Sequence, residues 1–258
     1  MTTPTQGLAP VRFRPPLVNP AHTGLADATI WTDMTGASRH LLGVEIEAAG
    51  NYGVEPSSGI WDAAWCGAPG EIAPGDRPAA LDAFHPVTAW AHDECDLTSL
   101  SQAEVRLRAE QTMRLREPLM IEREFAVRAL ADAGTPTTVP DLTAAVSALE
   151  AALATTNTLG FIHASTAWMA YAARDHLLGD PQRDGRYRTP AGHTWVFGGG
   201  YVAGLGSTLV ATSTPFGWRD PVQLREVIDH EGGRFSVLAE RTSVIGYEKA
   251  IAAATITP

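Results

Sequence analysis

The chain has 258 residues, 45% hydrophobic and 19% charged, enough apolar content for a sizeable core in one large domain or two closely joined lobes. Its 29 acidic and 19 basic residues leave a net charge of −10, which argues against nucleic acid as the main ligand because phosphate neutralisation dominates such binding. No apolar run reaches the roughly 18 residues of a membrane span, and Met1 to Pro20 lacks the apolar core of a signal peptide, so the reading is a soluble, non-membrane protein.

Residues 1–40 carry prolines at 4, 10, 15, 16 and 20 and little periodicity. They read either as an extended arm that gains order by lying on another surface or as a disordered tail. Val44, Ile46 and Ala48 alternate with Glu45 and Glu47, which predicts a strand with one wet face. A long segment rich in glycine and proline, 50–78, holds Trp61 and Trp65, and a second strand is expected over 84–91. Strand, excursion and returning strand predict a projecting two-stranded flap.

Ser101 and Glu104 fit a capping box, and strong helix formers continue to about Ala133, where Gly134 and Pro136 close the segment. Such a helix is about 48 Å long, with a bend expected at Pro118. Residues 137–141 read as a linker, and 142–155 as a helix with Leu142, Val146, Leu149 and Leu153 on one stripe. Residues 160–164 predict a short buried strand. Ser165 caps a third helix ending at Gly179 and Pro181, and a polar, arginine-rich loop spans 180–192. Short strands separated by glycines follow over 193–197, 201–203 and 208–213. Asp220-Pro221 suits a helix start, yet Val222, Leu224 and Ile228 also alternate as a strand. Residues 235–242, 243–247 and 251–256 read as strands.

Candidate chemistry is sparse. Gly198, Gly199, Gly200, Gly204 and Gly206 fit neither phosphate-loop pattern, since the one lysine is Lys249, and tight turns explain them better. His92, Asp93, Glu94 and Cys95 are consecutive, so on a strand they point to opposite faces and do not converge. His230-Glu231 lacks the second histidine of a zinc motif, and His163 and His176 lack ligands at metal spacing. Cys66 and Cys95 are expected as reduced or packed thiols, with a bridge between them as the alternative. No catalytic, cofactor-binding or metal-binding residue is assigned.

The stretches PVTAWAHDECDLTSLSQAEVRLRAEQTM (86–113), IEREFAVRAL (121–130), LGFIHAST (159–166), TWVFGGGYVAGLGS (194–207) and AERTSVIGYEKAI (239–251), in this order and spacing, resemble the tailed-phage major capsid proteins of the Hong Kong 97 fold. Capsid-type proteins of actinobacterial phages are the nearest likeness. The resemblance covers roughly 40–257 and implies an α+β fold: an N-terminal arm (1–40), an extended loop (41–92), a peripheral domain with a spine helix (93–139 and 216–258) and an axial domain (140–215). It makes 222–228 a strand. It also implies a non-enzymatic subunit that assembles with itself into pentamers and hexamers of an icosahedral phage head, localised to the virion and enclosing double-stranded DNA contacted only non-specifically. A separate scaffold protein is implied because the chain has no room for a scaffolding domain of its own, and a portal and a decoration protein are the other partners the resemblance suggests. An encapsulin-like nanocompartment shell and, in another class, a hydrolase with an unrecognised site are the alternatives.

Some relatives lock the mature head through a covalent bond from a loop lysine to a neighbour's asparagine. This chain has no lysine between Leu41 and Ala91, and arginine stays protonated and is a poor nucleophile. Particles boiled in detergent with reductant are therefore expected to run as a single monomer band. A ladder of covalent multimers that survives reductant contradicts this.

Overall fold

The computed structural model describes residues 13–36, 38–48, 50–52, 65–66, 81–179, 181 and 184–257. Its longest element is helix α2, Ser99–Ala133. Thr98 is the N-cap, its hydroxyl accepting from Ser101 N, and Asp96 in turn accepts from Thr98 N and Thr98 Oγ1 at 2.9 and 2.7 Å. The helix thus starts three residues earlier than the Ser101–Glu104 box implies, because Asp96 and Thr98 provide the cap instead. Pro118 lies in its interior without interrupting it.

The buried stripe of α2 explains the architecture. Val105, Ala109, Met113, Glu117, Ile121, Phe125 and Ala129 are all buried and recur every four residues. At 3.6 residues per turn each such step rotates the stripe by about 40°, so it winds around the helix instead of following one side. The first half packs Val105, Ala109 and Met113 against Ala89, Ala91, Phe235, Val237 and Ala239. The second half packs Ile121, Phe125, Ala126 and Ala129 against Val196, Tyr201, Val210, Tyr247 and Ala253. One helix thereby holds two differently oriented sheets.

The first sheet is ordered β1 (Ile30–Asp33), β7 (Phe216–Arg219), β9 (Arg234–Gly246), β2 (Val87–Asp96), with β8 (Gln223–Asp229) also paired to β9. β1 runs parallel to β7, and the other pairs are antiparallel. Only one face is covered by α2, so burial in β2 alternates through Ala89 and Ala91. The second sheet is ordered β3 (Thr137–Val139), β10 (Ala250–Ile256), β6 (Thr208–Thr212), β4 (Phe161–Ser165), β5 (Thr194–Gly198). Here α2 covers Val196 and Val210, while α3 (Leu142–Thr156) covers Trp195, Phe197, Leu209 and Ala211 from the other side. Burial on both faces accounts for the unbroken apolar runs of β5 and β6.

Several expectations are corrected. Residues 137–141 are not a free linker, since β3 pairs in parallel with β10, a partner distant in sequence. β3 and β10 therefore share a sheet with strands from 140–215, across the boundaries expected at 139/140 and 215/216. The second half of the presumed arm belongs to the body: α1 (Leu25–Ala28) buries Leu25 and Ala28, and β1 joins the first sheet. Instead of a strand over 44–48, only Val44 pairs, in a bridge with Phe84. β2 begins at Val87 and extends to Asp96, so His92–Cys95 lies within a strand.

Residues 201–203 belong to a short helix, α5 (Tyr201–Gly204), not a strand. The third helix begins with a 3-10 turn at Thr166–Trp168 and continues as α4 (Met169–Arg174), stopping before Gly179. Its stop is His176 at φ 55°, with Leu177 N donating to Ala172 O and His176 N to Ala173 O, the paired bonds of a left-handed helix terminus. One strand, β9 (Arg234–Gly246), replaces the two expected over 235–242 and 243–247. The strand reading of 222–228 agrees with β8. Most of the loop, Trp61 included, lies outside the described residues, and Trp65 is exposed.

Met113 sits at 1% exposure under β2 and β9. Met113→Ala is expected to lower the unfolding free energy of the unassembled chain by about 2–5 kcal/mol in urea denaturation, through lost burial and the cavity left behind. Val127→Ala, on the exposed side of the same helix, is expected to change it by less than about 0.5 kcal/mol.

Candidate assembly interface

The residue groups singled out in the sequence do not converge on a reactive centre. Gly198, Gly199, Gly200 and Gly204 let β5 and α5 lie flush on α2. A Cβ at Gly200 would stand 2.3 Å from the Leu119 carbonyl oxygen, and one at Gly204 would stand 2.7 Å from Ala126 Cβ. Close backbone approach, and not turn geometry, therefore selects glycine at these positions; Gly206, at φ 59°, is the one of the group in a left-handed turn. In β2, Asp93 pairs with Arg108 and Glu94 with Arg234, tying the strand to α2 and β9. His230-Glu231 forms the β8–β9 turn, where Asp229 accepts from Glu231 N and Gly232 N. Cys66 and Cys95 are free thiols. Among the described residues, no three His, Cys, Asp or Glu side chains gather as a metal site, and no helix is long and apolar enough to cross a membrane.

Two buried polar centres fasten the interior: one ties the arm's base and α5 to α2, and the other joins β4, β6 and α5. Glu122, 2% exposed, accepts from Leu25 N at 3.0 Å and from Gly200 N at 2.7 Å, joining the arm and α5 through one carboxylate. Burial lifts its carboxyl above the usual range, against those two amides, which favour the charged form. Thr23 and Phe197 add a reciprocal pair: Thr23 Oγ1 donates to Phe197 O, and Phe197 N donates to Thr23 O. The second centre is His163. Thr212 Oγ1 donates to Ser213 O, so it accepts from His163 Nε2–H at 2.8 Å, leaving Nδ1 to accept from the Tyr201 hydroxyl at 3.0 Å. The bond pattern fixes the tautomer. From the sequence alone Glu122 has no assigned role and His163 is weighed only as a metal ligand, although His163 interrupts an apolar strand.

The outer surfaces are unfinished. Residues 13–20 lie on α2 through exposed polar contacts, Arg14 with Glu104, Gln111 with Val18 O and Arg114 with Asn19, while Phe13 and Val18 remain 83% and 63% exposed. The uncovered face of the first sheet presents Trp90, 60% exposed, beside His92 and Leu238 in a shallow recess of about 440 Å³. An apolar groove of about 350 Å³ separates 84–87 from α2, lined by Phe84, Val87, Ile121 and Val127. Within the described residues β2 and β8 pair only with β9, and β1 only with β7, which leaves strand edges without a ladder partner.

This architecture recurs in viral and virus-like shells. The chain is similar to one from the mature capsid of bacteriophage PhiM1, with a TM-score of 0.52, 7% identity, and coverage of 98% of this chain and 91% of that one. The fold is that of a phage capsid protein. A structure from Microbacterium phage Oxtober96 matches with a TM-score of 0.50 and 15% identity, covering 98% of this chain and 95% of the other. The virus-like particle of Pyrococcus furiosus matches with a TM-score of 0.52 and 8% identity, covering 91% and 92%. No protein-family model and no curated protein sequence matches the chain. The α+β, Hong Kong 97-like expectation holds for the fold.

Burial lowers the pKa of His163 to about 3, against an ordinary value of 6.5. The unfolded chain thus binds the extra proton first, and this group's contribution is complete above pH 6.5 and lost progressively as pH falls toward 3. Glu117 and Glu122, raised by burial, act in the opposite sense as pH falls toward 4.5. The difference between native chain and His163→Gln isolates the histidine. The native chain's stability relative to the variant is expected to fall by about 1.4 kcal/mol per pH unit between pH 6 and 4 in denaturant titrations. Parallel pH profiles contradict the assignment.

Proposed function

We propose that this chain is the major capsid protein of a phage head, assembling with itself into pentamers and hexamers of an icosahedral shell around double-stranded DNA. The observation that carries the reading is the extent of the structural match. The PhiM1 capsid chain is followed over 98% of this sequence, through the arm, the long helix and both sheets. The outer surfaces support it: an arm held by polar contacts, an uncovered sheet face and unpaired strand edges gain burial only when copies pack together.

In this reading 1–40 is the arm and 41–92 the extended loop, with 93–139 and 216–258 the peripheral part around the spine helix and 140–215 the axial part. β3 and β10 pair in one sheet with β4, β5 and β6. The subunit resides in the virion, performs no catalysis and contacts packaged DNA non-specifically. A separate scaffold protein guides assembly, a portal occupies one vertex, and a decoration protein can bind outside.

Negative-stain electron microscopy of the expressed chain, with and without a scaffold partner, tests the proposal. Closed shells or capsomer rings are expected. A monodisperse monomer at every concentration overturns it. Nuclease-protected double-stranded DNA inside native particles separates a phage head from an encapsulin-like shell, for which enclosed protein cargo is the expected content.

A further inference from the structure

A recess of about 190 Å³ lies where the arm's base, the middle of α2 and strands β1, β7 and β9 meet. Its lining carries three guanidinium groups, Arg114, Arg219 and Arg241, against one carboxylate, Glu117; Asp33 and Asp220 stand outside the lining. Arg241 donates to Glu117 Oε2 at 2.7 Å through one terminal nitrogen, but its Nε is buried with no hydrogen-bond partner among the described residues. Native proteins rarely leave a buried donor unpaired, so this one calls for an acceptor. Arg219 is held for that role by Asp33 at 2.8 Å and by the Trp31 ring beneath its guanidinium, 4.6 Å away. Arg114 is held by Asn19, and Pro20 forms part of the wall, so the recess is complete only while the arm lies on α2.

The geometry points to this recess as a receptor for the Asp or Glu side chain of a second copy of this chain. The guanidinium fork matches a carboxylate, and one seated there faces Arg114, Arg219 and Arg241, a turn of the Arg241 side chain bringing its buried Nε to the new acceptor. A second copy is the fitting donor because the chain carries 29 acidic residues and a net charge of −10. A DNA duplex presents its phosphates on a stiff rod, which does not enter a walled recess of this size. The inference rests on the shell reading and adds a specific contact to it.

Two measurements test it. The Nε–Hε NMR signal of Arg241 in the unassembled full-length chain, assigned by its loss in Arg241→Gln, is followed during titration with sodium acetate and, at equal ionic strength, sodium chloride. A saturable shift with acetate alone is expected, and no acetate-specific shift overturns the proposal. The second measurement is the critical concentration for assembly of Glu117→Gln/Arg241→Gln, which neutralises the buried pair together and leaves neither charge stranded. A rise of about tenfold or more is expected, equivalent to about 1.4 kcal/mol. If the double variant loses cooperative unfolding, Arg219→Gln, whose side chain is 29% exposed, replaces it with the same expected direction. An unchanged critical concentration in a folded variant overturns the second-copy assignment, and acetate binding would then mark a site for a free anion. Failure of the native chain to form shells counts against the proposed function, while the acetate titration still reports on the recess.

Discussion

Everything in this subunit depends on the four-residue repeat buried along α2. A stripe at that spacing cannot stay on one side of a helix, so its two halves bury against different partners. The first half needs β2 and β9, and the second needs β5, β6 and β10. The helix is the shared wall of two cores, and each sheet would lose a covered face without it. A rigid element common to both lobes also fixes their relative orientation.

The polar residues within these cores refine that arrangement. Glu122 could have been apolar if α2 had only to fill space. As a carboxylate it accepts amides from Leu25 and Gly200, tying the arm's base and α5 to the same point of the helix. His163, on β4, joins Tyr201 of α5 to Thr212 of β6. Buried polar groups are costly unless paired, so these bonds favour one alignment of helix and sheet over shifted alternatives. The glycines at 198–200 and 204 are the steric counterpart, since they bring the α5 backbone close enough for Gly200 N to reach Glu122.

Order inside contrasts with incompleteness outside. The arm beyond residue 22 is clamped by buried bonds, whereas 13–20 rests on α2 by exposed polar contacts worth little in water. The first sheet has one covered face and one open face, and the second has both faces covered. A subunit made to pack with its own copies would be divided in this way, with the lobe-joining core finished in the monomer and the peripheral sheet, groove and arm left for neighbours.

What could be read from the sequence were the features set by local physics. The long helix, α3 with its leucine stripe, the buried strand at 161–165 and the β8 strand follow from periodicity and end signals between near neighbours. The order of these pieces was enough to suggest the fold. Tertiary structure decided what depends on distant partners: β3, a strand only because β10 lies beside it; α5, a helical turn where glycine punctuation suggested strand; and the placement of β10 with the second sheet. It alone also revealed the fastening centres. Glu117 meets Arg241, Glu122 meets Leu25 and Gly200, and His163 meets Tyr201 and Thr212 only in the fold. No spacing rule anticipates them, because a buried polar group is defined by what surrounds it, and the surroundings come from elements that the sequence keeps far apart.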